Sequence, residues 1–274
     1  MEHAISLGLS HLALTDHDTT DGIAEARAAA GDKLTVIDGI EINTIWHDAQ
    51  NDGKAHDVHI LGYCFDMQAP SLVSIIKRQR EARERQIKDT LENIRASGIA
   101  LEYEQIPALC RQYPTKGVIG KPQLTEALVR VGAACDLTTA YEKYTSRSSP
   151  YFVERKSVSP FEAVEAIKKA GGLASIAHPN NAAHIIPLIR ALAACGLGAI
   201  EAHHRMHDED VVVLHQALAG QLGLLVTGGS DCHGPFKDET TGEFFPSTMG
   251  MVRDKKLPEE LLVSFLHYCK ALSN

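Results

Sequence analysis

Apolar residues along the chain fall into two alternating patterns. Short runs dense in Leu, Ile, Val and Ala predict strands at "HLALTD" (11–16), "LTVIDGIEI" (34–42), "DVHILGY" (57–63), "GLASIAHP" (172–179), "GAIEA" (198–202) and "LGLLVTGGSD" (222–231). Between several of them the spacing lengthens to that of amphipathic helices, as in "TDGIAEARAAAG" and "SPFEAVEAIKKAGG". The second of these carries complete start and stop signals. Ser159 stands as N-cap, Pro160 at the first helical position, Glu162 at the third, and Gly171 just past the end. Strand and helix alternating in this way predict an α/β protein built on a parallel sheet.

The interval 70–157 breaks the alternation. It opens with a long charged helical pattern, "LVSIIKRQREARERQIKDTLENIRASG", followed by shorter ones around "KPQLTEALVRVG" and "LTTAYEKYTSR". It reads as a helical insertion over the active site, dividing a barrel made of 1–69 and 158–274. Segment 47–57, "HDAQNDGKAHD", reads as a polar loop or hairpin tip.

Composition narrows the class. At 274 residues the chain can bury one barrel-like core with an insertion. Its 44% hydrophobic and 23% charged residues are ordinary globular values. No apolar run is long enough to cross a bilayer, and no signal segment opens the chain. Six cysteines without a C-x-x-C pair point to reduced thiols and a cytoplasmic location. A net charge of −8 argues against binding long duplex nucleic acid but leaves room for a local basic groove.

Metal-binding chemistry recurs at the C-terminal ends of the expected strands: Asp16 and His17, Glu41, His59, His178, Glu201, then Asp231 and His233. Taken singly, each has an ordinary structural use as a cap, a turn or a hydrogen-bonded rim residue. Recurring at strand end after strand end, they would converge on one face of a barrel, where active sites lie. Imidazole with carboxylate suits zinc, manganese or iron, and a carboxylate can bridge two ions. Water on such an ion is acidic enough to supply hydroxide near neutral pH.

The motifs "TDHDT", "GIEI", "HILGY", "AHP", "IEAHH" and "GGSDCHG", in this order, resemble the PHP (polymerase and histidinol phosphatase) superfamily. The match is closest to its branch of nucleoside 3′,5′-bisphosphate phosphatases and a 5′-to-3′ exoribonuclease. The resemblance implies a distorted (β/α)7 barrel holding up to three divalent ions. It implies Glu41 as a bridging ligand, His59 and His178 on the second ion, Asp231 on the first, and His17 and His233 on the third. His56 competes with His59, but only His59 sits inside "HILGY". Asp16 would orient a ligand or water. His204 would contact phosphate or protonate a leaving group, whereas His203 and His207 read as rim residues and Cys232 as packing. Arg83, Lys121 and Arg147 match basic positions of the branch and would bind substrate phosphates. Gln123 and Ser149 stand where the branch commonly has His and Lys.

The implied activity is metal-dependent hydrolysis of nucleoside 3′,5′-bisphosphates or of the 5′ ends of short single-stranded RNA. The family's opening H-x-H motif is absent, since the chain starts inside the helix that follows it. The expectation is therefore a barrel lacking its first strand, with two open sheet edges and the first ion short of its histidines. A non-catalytic nucleotide- or RNA-binding module is the alternative, and carbon–nitrogen bond hydrolysis a third possibility for such a barrel.

Overall fold

A computed structural model describes residues 1–48, 53–111, 119–182, 184–234, 236–237, 244–245, 249–252 and 256–272. Among these the chain order is α1 (Glu2–Ser6), β1 (His11–Leu14), α2 (Ile23–Ala30), β2 (Thr35–Asp48), β3 (Lys54–Tyr63), α3 (Pro70–Ala96), α4 (Ile106–Leu109), α5 (Lys121–Arg130) and α6 (Leu137–Ala140). It continues with α7 (Pro160–Lys169), β4 (Leu173–Ile176), α8 (Ile185–Cys195), β5 (Ala199–His204), α9 (Glu209–Leu222), β6 (Leu225–Gly229) and α10 (Glu259–Leu272). The chain divides into two compact units, one of 1–77, 158–233 and 248–274, the other of 78–157 and 234–247.

The first unit is built on a six-stranded sheet in the order β1-β2-β3-β4-β5-β6. Among the described residues β1 and β6 are its two edges. Its directions correct the all-parallel expectation. β1 and β2 run parallel, as do β4, β5 and β6, but β3 is antiparallel to both β2 and β4. The reason is connection length. β2 and β3 extend through most of segment 47–57, and the few residues left between them cannot form the crossover that parallel neighbours need. The hairpin tip itself, 49–52, lies outside the described residues.

Alternation along the strands then sorts the faces. Ile40, Ile42, Val58, Ile60, Ile176 and Ile200 pack with Val164 and Ile167 of α7 and with Leu188, Ile189 and Leu192 of α8. Helix α7 begins as its sequence dictates. The Ser159 hydroxyl accepts from the Glu162 N–H (3.3 Å), and the Glu162 carboxylate accepts from the Ser159 N–H (2.8 Å). On the opposite face Leu61, Tyr63, Leu173 and Ala199 bury against Phe265 and Cys269 of α10. Beyond this second cluster, toward the strand ends, the same face turns polar.

The second unit has its own core. Ile87, Leu91 and Ile94 of α3 pack with Leu101, Ile106, Leu124, Leu128 and Tyr144. No described helix is long and apolar enough to cross a membrane.

Candidate metal centre

Glu41 is the hub. It lies near the middle of β2, directly opposite Leu61, with the Asn43–His59 pair next along the same face. Past the end of β1 the chain keeps its parallel alignment as a single bridge between His17 and Glu41. Asp18 secures that bend. It is buried, with φ at +55°, and its carboxylate accepts from the Asn43 backbone N–H (3.0 Å) and from Asn43 Nδ2 (3.2 Å). "TDHDT" is thereby pinned across β2, and His17 is brought to the carboxylate.

Three histidines surround Glu41. His59 Nδ1 lies 2.8 Å from Oε1, His178 Nε2 3.2 Å from Oε1, and His17 Nδ1 3.6 Å from Oε2. Donor atoms of His17, Glu41 and His59 all fall within 4.8 Å of one another. Burial alone would raise the Glu41 pKa, but hydrogen bonds from His178 and His59 and the charge of His17 outweigh it. The carboxyl is held well below the ordinary range and is ionised at every physiological pH.

His178 follows β4 with φ at +29°, a conformation that needs external support. Glu201 supplies it, since its carboxylate accepts the His178 backbone N–H at 2.8 Å. Glu201 is itself buried, and burial pushes its own pKa up to about 7. The register between β5 and β6 shifts between Glu201 and His203. That irregularity lets His204, three positions on, share the polar face with Glu201.

A second carboxylate completes the cluster. Asp231, at φ +48°, has Arg205 Nη2 at 3.1 Å from Oδ2, His204 Nε2 at 3.7 Å from Oδ2 and His233 Nδ1 at 3.5 Å from Oδ1. Burial would raise its pKa, yet these three neighbours bring it down to about 2. The two carboxylate clusters meet through the rings of His17 and His233 (6.1 Å between centroids) and of His178 and His204 (5.2 Å).

Of the residues expected at strand ends, His17, Glu41, His59, His178, Asp231 and His233 come together, joined by His204, which the family resemblance implied, while Glu201 supports the His178 backbone. His56 does not join them. Three residues from His59, it points to the other face and clusters with the rings of Trp46 and His184 (centroids 5.7 and 3.9 Å away). His207 is not the rim residue expected; it is buried, with Nδ1 2.8 Å from the Ala202 carbonyl. Arg205 was not anticipated, because nothing local to "HHRMH" reveals a partner 26 residues away. In the second unit, the Arg83 guanidinium lies beside Gly120 at the start of α5. Lys121 Nζ sits 4.5 Å above the Phe152 ring, and Arg147 pairs with Glu154 at 2.9 Å.

Behind the centre, His215 is fully buried next to His207, their ring centroids 5.5 Å apart. Burial, with a contribution from His207, pushes its pKa down from 6.5 to about 4. The unfolded chain takes up this proton near pH 6.5 and the folded protein only near pH 4, so folding stability falls as pH drops through that window. In His215→Gln this contribution is absent, and the slope of unfolding free energy against pH becomes shallower between those values. Identical slopes in denaturant titrations of both proteins would refute the burial argument.

Carboxylates ringed by imidazoles at the polar ends of such a sheet define a metal-dependent hydrolase. The donor set itself fits divalent metal, since both carboxylates are held ionised and imidazole nitrogens face each of them. No family model matches the chain. Among curated proteins, it is 32% identical to a 3′,5′-nucleoside bisphosphate phosphatase of Chromobacterium violaceum, over 82% of this chain and 77% of that protein. It is 29% identical to the 5′-3′ exoribonuclease Rnm of Escherichia coli, over 86% and 79% of the two chains. A solved structure described as a metal-dependent phosphoesterase of Bifidobacterium adolescentis superposes with a TM-score of 0.78 at 28% identity, covering 97% of this chain and 88% of that one. Another, described as an amidohydrolase of Chromobacterium violaceum with bound sulfate and no metal, gives 0.74 at 30% identity, covering 96% and 89%. The chain belongs to the PHP superfamily, in its branch of metal-dependent phosphoesterases.

Proposed function

We propose that this phosphoesterase hydrolyses nucleoside 3′,5′-bisphosphates or the 5′ ends of short RNA in the cytoplasm, with manganese, zinc or iron as its ions. The observation that carries the reading is the Glu41 hub, an ionised carboxylate with three imidazole nitrogens within 3.6 Å, in a chain whose relatives act on these substrates. Glu41, His59 and His178 would hold one ion, and Asp231, His17 and His233 would contribute to others. Bound there, such ions neutralise phosphoryl oxygens and make water nucleophilic near neutral pH.

The chain's own residues do the rest. Glu201 holds the His178 backbone in place, and Asp18 holds the loop that carries His17. His204 is fully buried with Nε2 3.7 Å from Asp231, beyond hydrogen-bond range, and we assign it the proton delivered to the departing oxygen. Basic residues of the insertion, Arg83, Lys121 and Arg147, are assigned to substrate phosphates.

The test is turnover by the full-length protein of a nucleoside 3′,5′-bisphosphate and of short 5′-phosphorylated RNA. Activity is expected with Mn2+, falling at least ~100-fold with a chelator and returning when the ion is restored. Inorganic phosphate should compete, which amide hydrolysis would not require. Binding of both substrates without hydrolysis would overturn the proposal.

A further inference from the structure

We propose that Arg205 binds the phosphoryl group under attack, so that the site recognises phosphate through a guanidinium as well as through metal. The inference rests on the phosphoesterase reading and extends it to a residue outside the metal-ligand set.

Arg205 follows His204 at the end of β5, and its side chain is 46% exposed. Its one described ion pair is with Asp231, Nη2 to Oδ2 at 3.1 Å. An exposed ion pair of this kind contributes little to folding, so structural need is a weak reason for it. Its surroundings suggest another. Asp231 is a single carboxylate shared by the Arg205 guanidinium and the rings of His204 and His233. When Asp231 gives its oxygens to a divalent ion, the guanidinium loses its acceptor and meets a like charge. A dianionic phosphoryl group at the same ion would relieve both, and the planar fork of Arg matches two phosphoryl oxygens at once. Because Nη2 already stands one hydrogen bond from a carboxylate of the centre, the phosphate within its reach is the one at the metals, not a distant second phosphate.

The experiment compares wild type, Arg205→Ala and Arg205→Lys as full-length, Mn2+-loaded proteins. Calorimetry measures binding of inorganic phosphate and, separately, of Mn2+, and kinetics are taken on a nucleoside 3′,5′-bisphosphate and on a phosphate monoester with no second phosphate. Arg205→Ala should weaken phosphate binding about 10- to 100-fold and lower kcat/KM on both substrates alike, with Lys restoring part of each. Mn2+ affinity should be unchanged or tighter, since a competitor for Asp231 is gone. The proposal is overturned if phosphate affinity stays within about twofold of wild type, if the loss is confined to the bisphosphate, or if Mn2+ affinity falls instead. The last result would make Arg205 a positioning residue for Asp231. Failure of the wild type to bind phosphate or hydrolyse either ester overturns the phosphoesterase reading itself, and this proposal with it.

Discussion

Glu41→Gln should lose phosphoester hydrolysis by roughly 10²- to 10³-fold or more while the protein stays folded. The substitution keeps size and shape but removes the charge on which His17, His59 and His178 converge. A neutral amide holds a divalent ion poorly, so bound metal measured by elemental analysis should fall with the rate. The two readouts together separate loss of the centre from loss of the fold. The change also carries a pH signature. In wild type, the depressed Glu41 pKa contributes stability that is complete above its unfolded value of 4.5 and is lost as pH falls below it. The Gln variant lacks that acid-dependent loss. Retention of full activity and full metal content would place the centre elsewhere.

The largest effect on stability is expected at Gly39. A Cβ there would lie 2.6 Å from the Leu14 carbonyl oxygen and 2.7 Å from Thr15 Cγ2. The first is backbone of the adjacent strand and cannot swing aside, so β1 and β2 would have to part. Their separation would also break the His17–Glu41 alignment that completes the hub. Gly39→Val is expected to cost about 3 kcal/mol or more, read as a lower denaturation midpoint, with metal affinity reduced in parallel. Gly220, within α9, has open space where its Cβ would go, and Gly220→Ala should be neutral or slightly stabilising. Equal behaviour of the two variants would refute the close-approach argument.

Much of this centre was legible in the sequence because strand ends announce themselves. An apolar run that stops at Asp, His or Glu marks both where a strand ends and which chemistry it delivers. Strand direction was not legible in the same way, since a two-residue period is identical whichever way the strand runs. Asp48 shows why the length of the β2–β3 hairpin is not legible within the polar segment 47–57: it reads as loop or hairpin tip, yet it is buried at the far end of a fourteen-residue strand. His207 escaped for the opposite reason. The acidic, His-rich stretch "HHRMHDED" has the composition of a surface loop, and only the tertiary fold turns one of its rings inward. Arg205 and the support that Glu201 gives His178 depend on contacts between residues more than twenty positions apart. No local pattern encodes them.

The hairpin that upset the parallel expectation also sets an order of assembly. Glu41 and His59 belong to adjoining strands of one local ribbon, whereas His178, His204 and Asp231 arrive from chain more than a hundred residues later. Hairpins close in about 1–10 μs, while distant segments must first overcome the entropy of closing long loops. The His59–Glu41 contact closes a loop of 18 residues and the His178–Glu41 contact one of 137, so the first is expected to form ahead of the second.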